Sequence, residues 1–115
     1  MTKLIRPAAD TALTPCTFVP AADVLEGFAP PVERGAVLVE AGSTTAGIWE
    51  ATPYAERFND FGATEMAVIV SGRVRITPDG GEAQTFGPGE VYLMKKGFKG
   101  TFEVLETLRK YYMVA

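Results

Sequence analysis

The sequence predicts an all-β domain built as an antiparallel sandwich or barrel and entered through an irregular N-terminal arm. Three observations carry that reading. Short apolar runs recur from residue 36 to the C-terminus, turn residues separate them, and no helical pattern intervenes. Evenly spaced short strands of this kind close into a sandwich or a barrel.

Residues 1–31 are rich in Ala, Pro and Thr without a clear period and are read as an arm; residues 32–115 are read as a single barrel. Within the arm, Ala21-Ala22-Asp23-Val24-Leu25-Glu26-Gly27 can make one helical turn ended by its glycine. Such an arm is ordered only against something, either its own barrel or a neighbouring subunit. Strands are expected at 36–40, 45–52, 65–70, 73–77, 83–86, 91–94, 98–104 and 108–114. Arg73, Arg75 and Thr77 alternate with Val74 and Ile76, the pattern of a strand with one wet face. Ser71-Gly72 is read as a turn between two strands, and Pro78-Asp79-Gly80-Gly81 supplies the positive-φ residues of a tight hairpin. Gly87-Pro88-Gly89 permits another sharp reversal.

Composition narrows the function. At 115 residues and 47% hydrophobic content, one well-buried core is expected and two are not. The longest apolar runs are far too short to span a bilayer, and the N-terminus has no signal-peptide pattern, so a cytoplasmic protein without a membrane partner is expected. A net charge of −3 with scattered basic residues offers no stripe for a phosphate backbone, so no nucleic-acid partner is expected. The single cysteine, Cys16, cannot make an internal disulfide and is read as a small apolar filler. Histidine is absent altogether, which removes the commonest general base and the commonest metal ligand together.

Several dispersed motifs then converge. Gly62-Ala63-Thr64-Glu65, Gly72, Gly87-Pro88-Gly89-Glu90-Val91 and Gly97 together resemble the two-part signature of cupins. More narrowly, Gly47-Ile48-Trp49-Glu50, Thr85-Phe86-Gly87-Pro88-Gly89-Glu90, the run from Gly97 to Glu106, and Arg109-Lys110-Tyr111-Tyr112 are similar to the small single-domain cupins related to the cupin domains of ureidoglycine aminohydrolase and of an ethanolamine-utilisation protein. The resemblance spans roughly residue 39 to the C-terminus. It implies a cupin-type antiparallel β-barrel, that is, a double-stranded β-helix or jelly roll. It also implies where a metal would sit in a metal-binding cupin. Those positions here are Phe58, Asp60, Glu65 and Gly100, so only the glutamate is kept and the metal site is degenerate.

Asp60 and Glu65 are the candidate catalytic residues. An odd separation would point them to opposite faces of one strand, but Gly62 lets the chain turn between them. Two carboxylates so placed either share a proton or hold a hard divalent ion such as magnesium or manganese. The plainer alternative makes Asp60 a solvated turn residue and Glu65 a local cap or salt-bridge partner. Trp49, Phe58, Tyr92, Phe98, Phe102 and Tyr111 are candidates for an aromatic ligand pocket, or are ordinary core. Phe98, Gly100 and Phe102 share a strand face, on which Gly100 is expected to open space between two rings. Glu50 and Glu103 are expected to pair with Lys95, Arg109 or Lys110, as a pocket floor or as surface ion pairs, and Lys95-Lys96 reads as a cavity-rim anchor or a solvated hairpin flank.

The resulting expectation is a cupin barrel that binds a small polar metabolite, with Glu65 and Asp60 as polar anchors. The resemblance to the aminohydrolase suggests a ureido, amino-acid or amine ligand, and Glu65 would do any general acid/base work. No cofactor is expected beyond a divalent metal such as manganese on Asp60 and Glu65. The alternative is a non-catalytic dimeric scaffold or ligand sensor, and a homodimer is expected in either case.

Overall fold

The computed structural model describes residues 4–8 and 10–115. Among them are eight strands: β1 (Thr14–Pro15), β2 (Glu33–Ala41), β3 (Thr44–Ala51), β4 (Tyr54–Phe58), β5 (Glu65–Pro78), β6 (Gln84–Phe86), β7 (Val91–Met94) and β8 (Gly100–Val114). One 3-10 turn, Ala21–Asp23, falls within the helical turn expected over 21–27, but it ends on an extended Val24 rather than at Gly27. The hydrogen-bonded order is β1-β2-β3-β8-β5-β6, with β4 also on β8 and β7 also on β5, and every pairing is antiparallel. No helix among the described residues is long and apolar enough to cross a membrane.

Two long strands hold the barrel together. Ser71-Gly72 is not a turn between strands; it is a bend inside β5, where the register against β8 shifts between Ile69 and Val74. Gly72 has φ of 84°, and a Cβ there would lie 2.0 Å from the carbonyl oxygen of Thr107. The backbone of β8 therefore crosses at a distance only glycine allows, and β5 continues where a turn was expected. Its first half pairs with β7 and its second with β6, so one strand serves both ends of the barrel. Likewise the strands expected at 98–104 and 108–114 are one strand, β8, and Phe98 lies before it.

Strand β4 is not among the strands expected from the sequence, where the run 45–52 ends at Pro53. It pairs along its whole length with β8, and its outer end is tied down by Arg57, whose guanidinium meets both oxygens of Asp79 at 2.5 and 2.6 Å.

The core follows the alternation of the strands. Tyr54, Ile69, Val74, Phe102, Val104 and Leu108 are almost wholly buried, and Val74 and Ile76 point inward while Arg73 and Arg75 stay exposed. Residues 14–25 of the arm lie on the chain's own barrel. Strand β1 pairs with β2, Cys16 N–H donates to the carbonyl of Glu33, Leu25 N–H donates to that of Ala55, and Val24 bridges to Glu56. Cys16 packs against the core, and its burial together with the nearby Glu33 carboxylate pushes its thiol up.

Candidate functional site

Inside the barrel is a cavity of about 700 Å³, whose walls come from β2, β3, β4, β8, the start of β5, the loop after β4 and the arm. The alternation of β8 decides its chemistry. Phe102, Val104, Leu108 and Lys110 all have even numbers and all are buried, so the lysine enters the interior on the same face as three apolar side chains. Glu65 opens β5 directly opposite Val114 of β8 and is also buried.

The two charges meet. Lys110 Nζ donates to Glu65 Oε2 at 2.8 Å and to the hydroxyl of Tyr92 at 2.6 Å, while the Tyr92 hydroxyl donates to Glu65 Oε1 at 2.9 Å. The ammonium also stands 5.0, 5.2 and 5.3 Å from the ring centres of Trp49, Tyr92 and Phe102. Aromatic faces and a carboxylate together replace the water the lysine gives up on burial. Burial and the Glu65 carboxylate hold the Tyr92 hydroxyl in its neutral form, well above the usual phenol range.

A second carboxylate lies in the same wall. Glu56 is 4% exposed and alternates inward with Tyr54 and Phe58 on β4. The Tyr54 hydroxyl donates to its Oε1. Burial pushes the Glu56 carboxyl up to about 7; the Tyr54 hydrogen bond and Lys110 pull it down, whereas Asp23 and Glu33 raise it. The same burial, with Glu56 alongside, drives the Tyr54 hydroxyl far above its ordinary value.

The third buried carboxylate works on structure. Glu33 Oε1 accepts from the indole of Trp49 at 3.0 Å and from Phe18 N–H at 2.9 Å, and Oε2 accepts from Val19 N–H at 3.3 Å. It thereby fastens the arm over the barrel, where Phe18, Val19, Pro20 and Asp23 complete one wall of the cavity.

Of the residues singled out in the sequence, Trp49, Phe58, Phe102, Asp60 and Glu65 line the cavity, and Tyr92 reaches Glu65 and Lys110 from behind it. Asp60 is exposed at the rim, in contrast to the buried Glu65. Phe98 meets Phe58 edge-on, with ring centres 6.3 Å apart, and does not line the cavity. Gly100 opens no space: a Cβ there would lie 2.3 Å from the carbonyl oxygen of Thr77 and 2.7 Å from the ring of Phe98. Tyr111 faces away from the cavity and lines a separate hollow of about 220 Å³ with Ile5 and Leu38. Outside the barrel, Glu50 pairs with Arg34 and Arg109 and Glu103 pairs with Arg75, while Lys95 and Lys96 are exposed.

Glu56, Glu33 and Tyr54 were not among the residues singled out for the site, and Lys110, weighed as a pocket-floor partner of Glu50 or Glu103, pairs with Glu65 instead. Parity is the signal that finds Lys110 and Glu56: Lys110 is in phase with Phe102 and Leu108, and Glu56 with Tyr54 and Phe58.

The residues do not fit a metal. Both oxygens of Glu65 are engaged by Tyr92 and by a cationic ammonium, and the other positions a cupin metal would use hold Phe58, Gly100 and the exposed Asp60. No group of three metal-binding side chains occurs among the described residues.

The model of the EutQ-like cupin domain family matches residues 38–112. No curated protein matches the chain. Among solved structures, a DUF861-family protein of unknown function from Pseudomonas syringae pv. tomato superposes with a TM-score of 0.82 at 24% identity over 90% of this chain. The chain spans 44% of that protein's length. The EutQ protein of Clostridium difficile aligns at a TM-score of 0.65 and 22% identity, over 85% of this chain and 79% of its own. A cupin superfamily protein from Desulfitobacterium hafniense aligns at 0.60 and 13% identity, over 71% and 75% of the two chains. The fold is a cupin jelly roll.

Proposed function

The chain belongs to the EutQ-like cupin domain family, and from that premise we propose that its barrel binds a small polar metabolite of the amino-acid, ureido or amine kind. The observation that carries this reading is the buried Lys110–Glu65–Tyr92 cluster opening on an aromatic cavity. An ammonium has three donors. Two are taken by Glu65 and Tyr92, which leaves one for an oxygen of the ligand. Glu56 and Asp23 offer acceptors to its N–H groups, and Trp49, Phe58 and Phe102 enclose its carbon skeleton. A small ligand site is mostly apolar with a few placed polar groups, and this cavity has that composition. Glu65 serves here as an anchor, holding the ammonium toward the ligand.

A melting screen with glycine, N-carbamoylglycine and ethanolamine tests the proposal. A ligand at about a hundred times its Kd stabilises the native state by about 2.7 kcal/mol. At least one compound is expected to raise Tm in the wild type and to lose that effect in Glu65→Gln. Equal binding by the variant would remove Glu65 from the site.

A further inference from the structure

We infer that Glu56 moves a proton to and from the carbon next to a carbonyl group, in a ligand whose carbonyl oxygen rests on Lys110. The inference rests on the cavity being a ligand site, and it adds an activity to that site.

Glu56 has the required geometry. Its side chain is buried and lines the cavity, and the Tyr54 hydroxyl holds Oε1. Among the described residues no side chain or backbone group donates to Oε2. Among the described residues no fully enclosed side-chain oxygen lacks a partner, so Oε2 of Glu56, which lines the cavity, is not sealed off from it. One oxygen is fixed and the other is presented to a ligand, which is how a carboxylate is positioned for proton transfer.

The neighbouring strand β8 supplies the complementary charge. Lys110 retains its third N–H, and Glu65 and Tyr92 hold the ammonium in place. An enolate oxygen formed there meets a positive donor already in position, so stabilisation needs no reorganisation. In the step, the α C–H bond breaks and its proton passes to Glu56 Oε2. The bonding pair becomes the C=C bond of the enolate, and the carbonyl π pair moves onto the oxygen against Lys110. Return of the proton to the same carbon exchanges or epimerises it; in a hydroxycarbonyl, return to the former carbonyl carbon isomerises it, the hydroxyl proton of the first carbon passing to the enolate oxygen as that carbon becomes the new carbonyl. No oxidant, reductant or cofactor enters.

The charged and titratable groups around Glu56 are Tyr54 on β4, Asp23 on the arm, Lys110 on β8, Glu33 on β2 and Tyr92 on β7. With burial they place its carboxyl near neutrality. There it can both accept a proton and release it, the condition for a group that must do each in turn.

The test uses the full-length protein in D2O with aminoacetone, dihydroxyacetone and pyruvate as probes. Loss of the α-proton signals is followed by NMR, and saturation transfer reports binding in the same tube. At least one probe is expected to exchange about 100-fold faster than in buffer. In Glu56→Gln, which keeps an acceptor for Tyr54, binding is expected to persist and exchange to fall to the buffer rate. Glu56→Asp, which keeps a carboxylate but withdraws it, is expected to restore part of the rate. The wild-type rate is expected to rise with pH through a midpoint near 7. A probe that binds yet exchanges no faster with the wild type than with Glu56→Gln overturns the inference and leaves the ligand site standing. Failure of every probe to bind counts against the ligand site itself, and the inference falls with it.

Discussion

Lys110 Nζ lies 2.8 Å from Glu65 Oε2, and both side chains are less than a tenth exposed, so the barrel carries an ion pair at the edge of its own cavity. Their partnership joins residues 45 positions apart. It also ties the last turn-free stretch of β8 to the first residue of β5.

That pair is expected to behave as one unit. Lys110→Met leaves the Glu65 carboxylate buried without its cation, and the loss should be about 3–5 kcal/mol in urea unfolding. Adding Glu65→Leu should recover most of it, since the uncompensated charge is then gone. Strictly additive losses in the double variant would show that the two side chains are not energetically coupled.

Glu56 sets a pH dependence of the opposite sign to that of most carboxylates. Its carboxyl is raised from 4.5 to about 7 in the folded protein. Between those values the unfolded chain has already given up the proton and the folded chain still holds it. Stability should therefore fall as pH rises through that window and level off above it, by about 3 kcal/mol at most for this group. Glu56→Gln should flatten that slope, matching the wild type near pH 5 and exceeding it near pH 8. Denaturant midpoints at several pH values decide the matter; a variant whose curve runs parallel to the wild type would exclude Glu56 as the source.

Glu33 is the fastening of the arm. Its two oxygens accept three N–H donors, from Phe18, Val19 and Trp49. Glu33→Ala should leave those donors unpaired and loosen the arm by about 1–3 kcal/mol. Hydrogen exchange should then speed up at Phe18 and Val19 while the amides of central β5 keep their protection. Protection unchanged at Phe18 and Val19 would mean that the backbone pairing of β1 alone retains the arm.

Much of the fold was legible because it depends on local signals. The strand with alternating Arg73, Val74, Arg75 and Ile76 reads directly as half-buried, and Val74 and Ile76 are indeed inside. The Pro78-Asp79-Gly80-Gly81 turn has Gly80 at φ of 70° and closes with Gly81 N–H on the carbonyl of Pro78. Strand β4 was hidden because its inward glutamate looks like surface until Tyr54, two residues earlier, is seen to satisfy it. Lys110 was hidden in a basic doublet, although its neighbour Arg109 does go outward to Glu50. The Ser71-Gly72 bend imitates a turn because the same glycine serves both, and only the passing backbone at Thr107 distinguishes them.

By itself, then, the sequence determined the class of fold, the strand-rich barrel with its arm, and the want of a histidine for metal or base. Those properties follow from periodicity, turn chemistry and composition, each of which acts over a few residues. The tertiary structure alone decided which carboxylates face inward, which cation neutralises which, and that the arm walls the cavity. Glu65 meets Lys110 and Glu33 meets Phe18, Val19 and Trp49 only after β2, β3, β5 and β8 are brought side by side. A buried charge is stable only beside its partners, and partners so distant along the chain are set by the closing of the barrel.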